Sequence, residues 1–165
     1  MKNLFNFVVY VLAFLFPYSI YENETTIKSN EAFHIYIPKI KVSNNIYDYD
    51  DKKNNVNQNI YNATKYNFSK LNGSLVLASH SGNSSVSYFN DIDKLSLGDE
   101  IFIEDKDNIY LYLVNKIFFI DKTGMFYYDN KDKYIYMITC VKNSHKKQLV
   151  IGGYLSKITK KSTFS

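Results

Sequence analysis

From Phe33 onward the chain is a series of short apolar runs, some alternating with polar residues at every second position, broken by Gly, Asn, Asp or Ser. A period of two is the signature of a strand with two unlike faces. The first run, "HIYIPKIKV" from His34 to Val42, shifts its alternation by one at Pro38. Ile35 and Ile37 precede the shift, and Ile40 and Val42 follow it. A proline at such a point predicts a bulge or an edge position. Further strands are expected in "GSLVLASHS" (Gly73 to Ser81), in "EIFIE" after the Gly98-Asp99 turn, and in "NIYLYLVNKIFFI", which makes one or two long strands. After a turn at Thr123-Gly124, "KYIYMITC" and "KQLVIGGYL" (Lys147 to Leu155) complete the set. Two short helices interrupt them. One carries Val56, Ile60 and Ala63 at helical spacing; the other, capped by Ser84 or Ser85, carries Tyr88, Ile92 and Leu95. Strands and turns at this spacing predict an all-β domain, a closed barrel or a sandwich. The aromatic content of 17%, all Tyr and Phe, favours the same class.

The N-terminus obeys a different rule. No charge interrupts "LFNFVVYVLAFLFPYSIY", Leu4 to Tyr21. As a helix those residues span about 27 Å, close to the hydrocarbon core of a bilayer. Lys2 precedes the run, and Glu22 and Glu24 follow it, which orients the N-terminus inside. Residues 1–21 therefore read as an uncleaved signal anchor, a transmembrane segment. A cleaved signal is the alternative, although no small-residue cleavage site follows the run. Residues 22–32 read as a polar linker and 33–165 as the folded domain, placed outside the cytoplasm at a cell membrane. The net charge of +4 is small, and lysines alternate with acids. That pattern argues for a solvated mixed-charge surface and against a nucleic-acid partner. Every basic residue is lysine, so no arginine is present for bidentate phosphate contacts.

Outside the cytoplasm a lone cysteine is conspicuous, because it has no partner in its own chain. Cys140 stands at the last position of its strand and shares a face with Tyr134, Tyr136 and Ile138. It is either a buried, inert thiol or a nucleophile, and a nucleophile needs a nearby imidazole. Three histidines exist. His34 opens the first strand, and His145 lies in a lysine-rich loop. His80 ends the strand "LVLASH". Two strand ends carrying His80 and Cys140 can meet at one rim of a barrel.

These residues resemble a known family. "LASHSG", Leu77 to Gly82, followed by "YFNDIDKLSLGDEIFI", resembles the histidine block of the sortases. "MITC", Met137 to Cys140, is similar to their cysteine block, and "IYIPKIKV" is similar to their opening strand. The likeness covers about Phe33 to Leu155, with the blocks in order. It implies a closed eight-stranded β-barrel with short helices, preceded by one transmembrane helix. The implied activity is that of a Gram-positive surface cysteine transpeptidase. On that likeness Cys140 attacks the threonine carbonyl of an LPxTG-like sorting signal. His80 is then the general acid and base, and Thr139 and Ser81 border the substrate. The thioacyl intermediate passes to an amine of a peptidoglycan precursor or a pilin. No metal or other cofactor is implied. One branch of the family uses calcium, but no acidic constellation here argues for it.

The chain departs from the family at its third catalytic residue, an arginine. Gln148 stands at that position in "HKKQLVIGG". It donates a hydrogen bond but carries no charge. Three outcomes stay open: Gln148 acts as a neutral donor, Lys147 or Lys146 takes the arginine's place, or the protein binds sorting peptides without turnover. A small β-barrel adhesin, with His80 and Cys140 as ordinary packed residues, is the blander reading. With only Pro17 and Pro38, the chain lacks the Asp-Pro-aromatic lid of many pilin-polymerising members. That favours a single-attachment enzyme of the class A or D kind.

Overall fold

The computed structural model describes residues 7–10, 33–65, 73–128, 133–142, 144 and 146–161. Among them run β1 (Phe7–Tyr10), β2 (Phe33–Ile37), β3 (Val42–Ile46), β4 (Tyr61–Asn62) and β5 (Leu75–Ala78). They are followed by β6 (Glu100–Glu104), β7 (Asn108–Asp121), β8 (Met125–Tyr128), β9 (Tyr134–Cys140) and β10 (Lys147–Lys160). Eight strands form one sheet in the order β3-β2-β6-β7-β10-β9-β5-β4. Ile46 at the end of β3 bridges Ile60 just before β4, so the two edges of the sheet meet. The result is a nearly closed barrel, in which few backbone groups are left to pair with other chains.

Alternation decides what fills it. Ile35, Ile103, Tyr112, Ile135, Met137, Leu149 and Ile151 belong to one buried cluster inside the barrel. The intervening residues of β5, β9 and β10 face outward: Val76, Tyr136, Ile138 and Val150. They are buried too, because Phe126 of β8 packs over them with its ring centroid 5.2 Å from that of Tyr136. The sheet therefore has a sealed interior and a second, partly roofed outer face. The long β7–β10 pair runs close to its neighbours at Gly153, where a Cβ would sit 3.2 Å from the Leu113 carbonyl oxygen. A side chain there would force its neighbours to give by a few tenths of an ångström.

Several local expectations are revised. Pro38 marks no bulge. It opens a 3-10 turn, Pro38–Ile40, and Lys41 at φ 53 turns the chain back into β3, antiparallel to β2. Proline suits this place because its φ is already helical and its missing N–H is not needed. Val56, Ile60 and Ala63 do not form a helix. Ile60 is claimed by the bridge to Ile46, and Asn54 and Asn62 exchange hydrogen bonds of 2.9 and 2.7 Å that pin the loop. The stretch after Ser84 folds into turns with one 3-10 piece, Ile92–Lys94, which buries Ile92. β10 continues beyond Leu155 to Lys160, and β8 was not anticipated.

The expected transmembrane helix is not found among the described residues. Of the segment Leu4–Tyr21, the described part, Phe7–Tyr10, is a strand antiparallel to Met125–Tyr128; the remainder lies outside the described residues. No described helix is long and apolar enough to cross a membrane. Phe, Val and Tyr favour strands, and an unpaired β8 edge offers them backbone partners.

Candidate active site

Three neighbouring strands carry the candidate residues. β5 runs parallel to β9, with Ala78 opposite Ile138, and β10 runs antiparallel to β9, with Gln148 opposite Cys140. Extending the β5–β9 register by two residues sets His80 level with Cys140. His80, Cys140 and Gln148 then form one row across three strands spaced about 4.8 Å apart. All three follow the outward alternation of Ala78, Ile138 and Val150, so they share the outer face.

Hydrogen bonds carry that register past the end of β5. Ser79 N–H donates to the Ile138 carbonyl at 3.2 Å. The Thr139 hydroxyl donates to the Ser79 carbonyl at 2.8 Å, and the Ser81 hydroxyl donates to the Cys140 carbonyl at 2.7 Å. Thr139 and Ser81 thus clasp the His80 segment to the Cys140 strand end from the two sides of His80. Thr139 is buried and its hydroxyl is occupied by this bond. Gly82, at φ 129, then lets the chain turn away, and its N–H donates to Asn90 Oδ1 at 3.0 Å.

The three side chains differ in exposure. Cys140 is a half-buried free thiol, His80 is exposed, and Gln148 is buried. His80 Nε2 lies 3.2 Å from Asn57 Oδ1, and the His80 carbonyl accepts the Phe89 N–H at 3.3 Å. With the Nε2 proton donated to Asn57, Nδ1 is left as the basic nitrogen. Gln148 has no side-chain hydrogen bond among the described residues, so its amide remains available as a donor.

Two clefts open at Cys140. One, of about 200 Å³, is walled by Phe89, Phe119, Thr139 and Leu149, with Asp93 at its edge. The other, of about 640 Å³, is walled by Ser81, Asn83, Asn90, Lys122, Lys142 and Ser144. The thiol therefore stands between an apolar niche and a wider polar one. Among the described residues no three His, Cys, Asp or Glu side chains gather as metal ligands. His34 belongs to β2, four places from β9 in sheet order, and bonds Ser43 Oγ at 2.8 Å and Asn45 Oδ1 at 3.2 Å. His145 lies outside the described residues. Asn57 and Lys122 were not singled out from sequence. Both sit in polar loops whose composition resembles every other loop of the chain, and only folding brings them to the site.

Residues 35–156 match the family model of the Sortase domain. Over 90 residues, 53% of this chain, the sequence is 37% identical to sortase A of Listeria monocytogenes. That alignment spans 40% of the relative's length, less than half of it. The crystal structure of L. monocytogenes sortase A superposes with a TM-score of 0.68 at 25% identity, covering 82% of this chain and 93% of that one. A Clostridium perfringens sortase D5 transpeptidase superposes with a TM-score of 0.62 at 25% identity, covering 77% and 79%.

Proposed function

The chain belongs to the sortase family, and from that premise we propose that it is a cysteine transpeptidase acting on an LPxTG-like sorting signal. The observation that carries the proposal is the single row His80–Cys140–Gln148 on one face of three adjacent strands. Cys140 Sγ, as thiolate, attacks the threonine carbonyl carbon. A C–S bond forms, and the carbonyl π pair moves to oxygen. Gln148 donates a hydrogen bond to that oxygen from the neighbouring strand. When the intermediate collapses, the C–N bond breaks and His80 delivers a proton to the leaving glycine amine. The thioester is then attacked by an acceptor amine, whose proton His80 takes, and Cys140 is released. Two acyl transfers of moderate barrier replace one difficult amide exchange.

Thr139 and Ser81 serve this chemistry by holding the two strand ends in register. The substrate chain approaches along the outer face, where the β8 roof ends. The acceptor is an amine of a peptidoglycan precursor or of a pilin. The missing lid segment supports single attachment, in the manner of classes A and D. Location at the cell membrane, with residues 33–165 outside the cytoplasm, belongs to the same proposal.

Intact-mass analysis of the chain incubated with Leu-Pro-x-Thr-Gly peptides tests it. The expected result is an acyl adduct on Cys140 that an added amine discharges and that Cys140→Ala abolishes. An adduct that forms equally on Cys140→Ala sinks the assignment. The absent arginine favours one second reading, a surface protein that binds sorting peptides without turnover. Peptide binding with no adduct on a reduced, folded protein would establish it.

A further inference from the structure

Attack by Cys140 leaves a full negative charge on the former carbonyl oxygen, and a neutral amide such as Gln148 meets only part of that charge. The chain has no arginine. The two lysines beside the arginine position line neither cleft at Cys140. Lys147 Nζ lies 2.6 Å from Asp121 Oδ1, and as the strand neighbour of Gln148 it points to the opposite face. Lys146 is exposed, as Lys122 is, and differs from it in lining neither cleft.

A different lysine stands on the correct face. Gln148 pairs with Ile120 across β7, and the Lys122 N–H donates to the Lys146 carbonyl at 2.8 Å, continuing the ladder beyond Asp121. Alternation from Ile120 then sets Lys122 on the face of Gln148 and Cys140. Two strand spacings and one two-residue step separate its Cα from that of Cys140, roughly 12 Å. A flexible four-carbon stem carries the ammonium well into that gap. Lys122 and Cys140 in fact line the same 640 Å³ cleft. Lys142 also lines it, but Lys142 shares Asp91 with Lys94, at 3.9 and 3.0 Å. Lys122 has no acidic partner among the described residues.

We propose that Lys122, reaching across from the end of β7, supplies the positive charge for the acyl oxygen at Cys140. The inference rests on the transpeptidase reading above and adds to it a residue from a strand that the cysteine and histidine blocks do not include. Lys122 takes no part in the proton transfers. It contributes charge and a hydrogen bond, more strongly to the oxyanion than to the ground-state carbonyl.

Two measurements on the 165-residue chain test it. In single-turnover acylation by a Leu-Pro-x-Thr-Gly peptide, Lys122→Met is expected to be slower by about 100-fold. Lys122→Arg is expected to recover most of that loss, and Lys147→Met to stay within about twofold of the parent. The second measurement needs no turnover. On the Cys140→Ala background, a peptide ending in a free threonine carboxylate should bind about tenfold tighter than its amide, and Lys122→Met should remove that preference. The proposal is overturned if Lys122→Met acylates within threefold of the parent, if Lys147→Met falls as far, or if the carboxylate preference survives in Lys122→Met. If the parent forms no adduct, the transpeptidase reading fails, and the carboxylate preference alone decides whether Lys122 faces the bound carbonyl.

Discussion

The two faces of β9 use the same strand for opposite ends. Ile135 and Met137 point inward and are fully buried in the barrel cluster, surrounded by other strands. Tyr136 and Ile138 point outward and are almost as buried, but under β8 with its Phe126 and neighbours such as Ala63. Barrel closure seals the first face along its length. The roof covers only part of the second, and at the end of the strand Cys140 is left half-exposed. The inward face is therefore closed throughout, and the outward face carries the proposed nucleophile. Thr139 is the exception, an inward residue whose hydroxyl positions the outward site.

Substitutions can break that division or sharpen it. The largest stability loss is expected from Ile135→Ala, about 2–5 kcal/mol for an emptied interior site, read as a shift in the urea midpoint. Cys140→Ala should cost under about 1 kcal/mol, because its site can admit water. Equal losses would mean that the faces are not distinct. Thr139→Val should come next. It leaves the Ser79 carbonyl without its side-chain donor at about 1–3 kcal/mol, and it should slow acylation as well, since the same bond sets His80 beside Cys140. A fall in stability with unchanged acylation would remove Thr139 from the site.

Asn57→Ala acts on the outer face alone. Acylation is expected to slow about tenfold, equivalent to about 1.4 kcal/mol, while stability moves by less than about 0.5 kcal/mol. Peptide affinity should not change, since Asn57 is assigned to orient the imidazole rather than to touch substrate. The smallest effect belongs far from β9. Partial burial of Asp105 is outweighed by hydrogen bonds from the Tyr110 hydroxyl and the backbone N–H groups of Asp107 and Asn108, which hold its carboxyl below the ordinary value. A depressed folded pKa gives stability that is present above the unfolded carboxylate range and is lost as pH falls through the lowered value. Tyr110→Phe removes the 2.7 Å hydroxyl bond, so its acid unfolding curve should be shallower than the parent's. Burial and Asp105 also push the Tyr110 phenol up to about 12, so the parent loses stability between about pH 10 and 12; the Phe variant loses less, keeping only the share of other buried or half-buried tyrosines such as Tyr61 and Tyr112.

Much of this was legible along the chain, because alternation is a local property. The strands around "LVLA", "EIFIE" and "YIYMITC" follow from short apolar runs between turn residues, and the shared face of Ile138 and Cys140, and that of Gln148 and Val150, from a period of two. The misreadings came where a distant partner outweighed the local pattern. Val56, Ile60 and Ala63 have helical spacing, but Ile60 finds a strand partner at Ile46, and the backbone pairs there instead. Leu4–Tyr21 has the length and apolarity of a span, yet its described part lies against β8. The short β8 itself has only four residues, Met-Phe-Tyr-Tyr, in which no alternation with polar residues marks a strand.

The sequence by itself determined the all-β class, the three family blocks, the lone thiol and the absence of arginine, since each is written in residue type and near-neighbour spacing. Tertiary structure decided which strand ends stand side by side. β5 and β9 are parallel neighbours, and bonds such as Thr139 to Ser79 join residues 60 positions apart. No local period encodes that pairing. It is selected by the closure of the barrel, which satisfies both sheet edges and at the same stroke brings His80, Cys140, Gln148 and Lys122 to one rim.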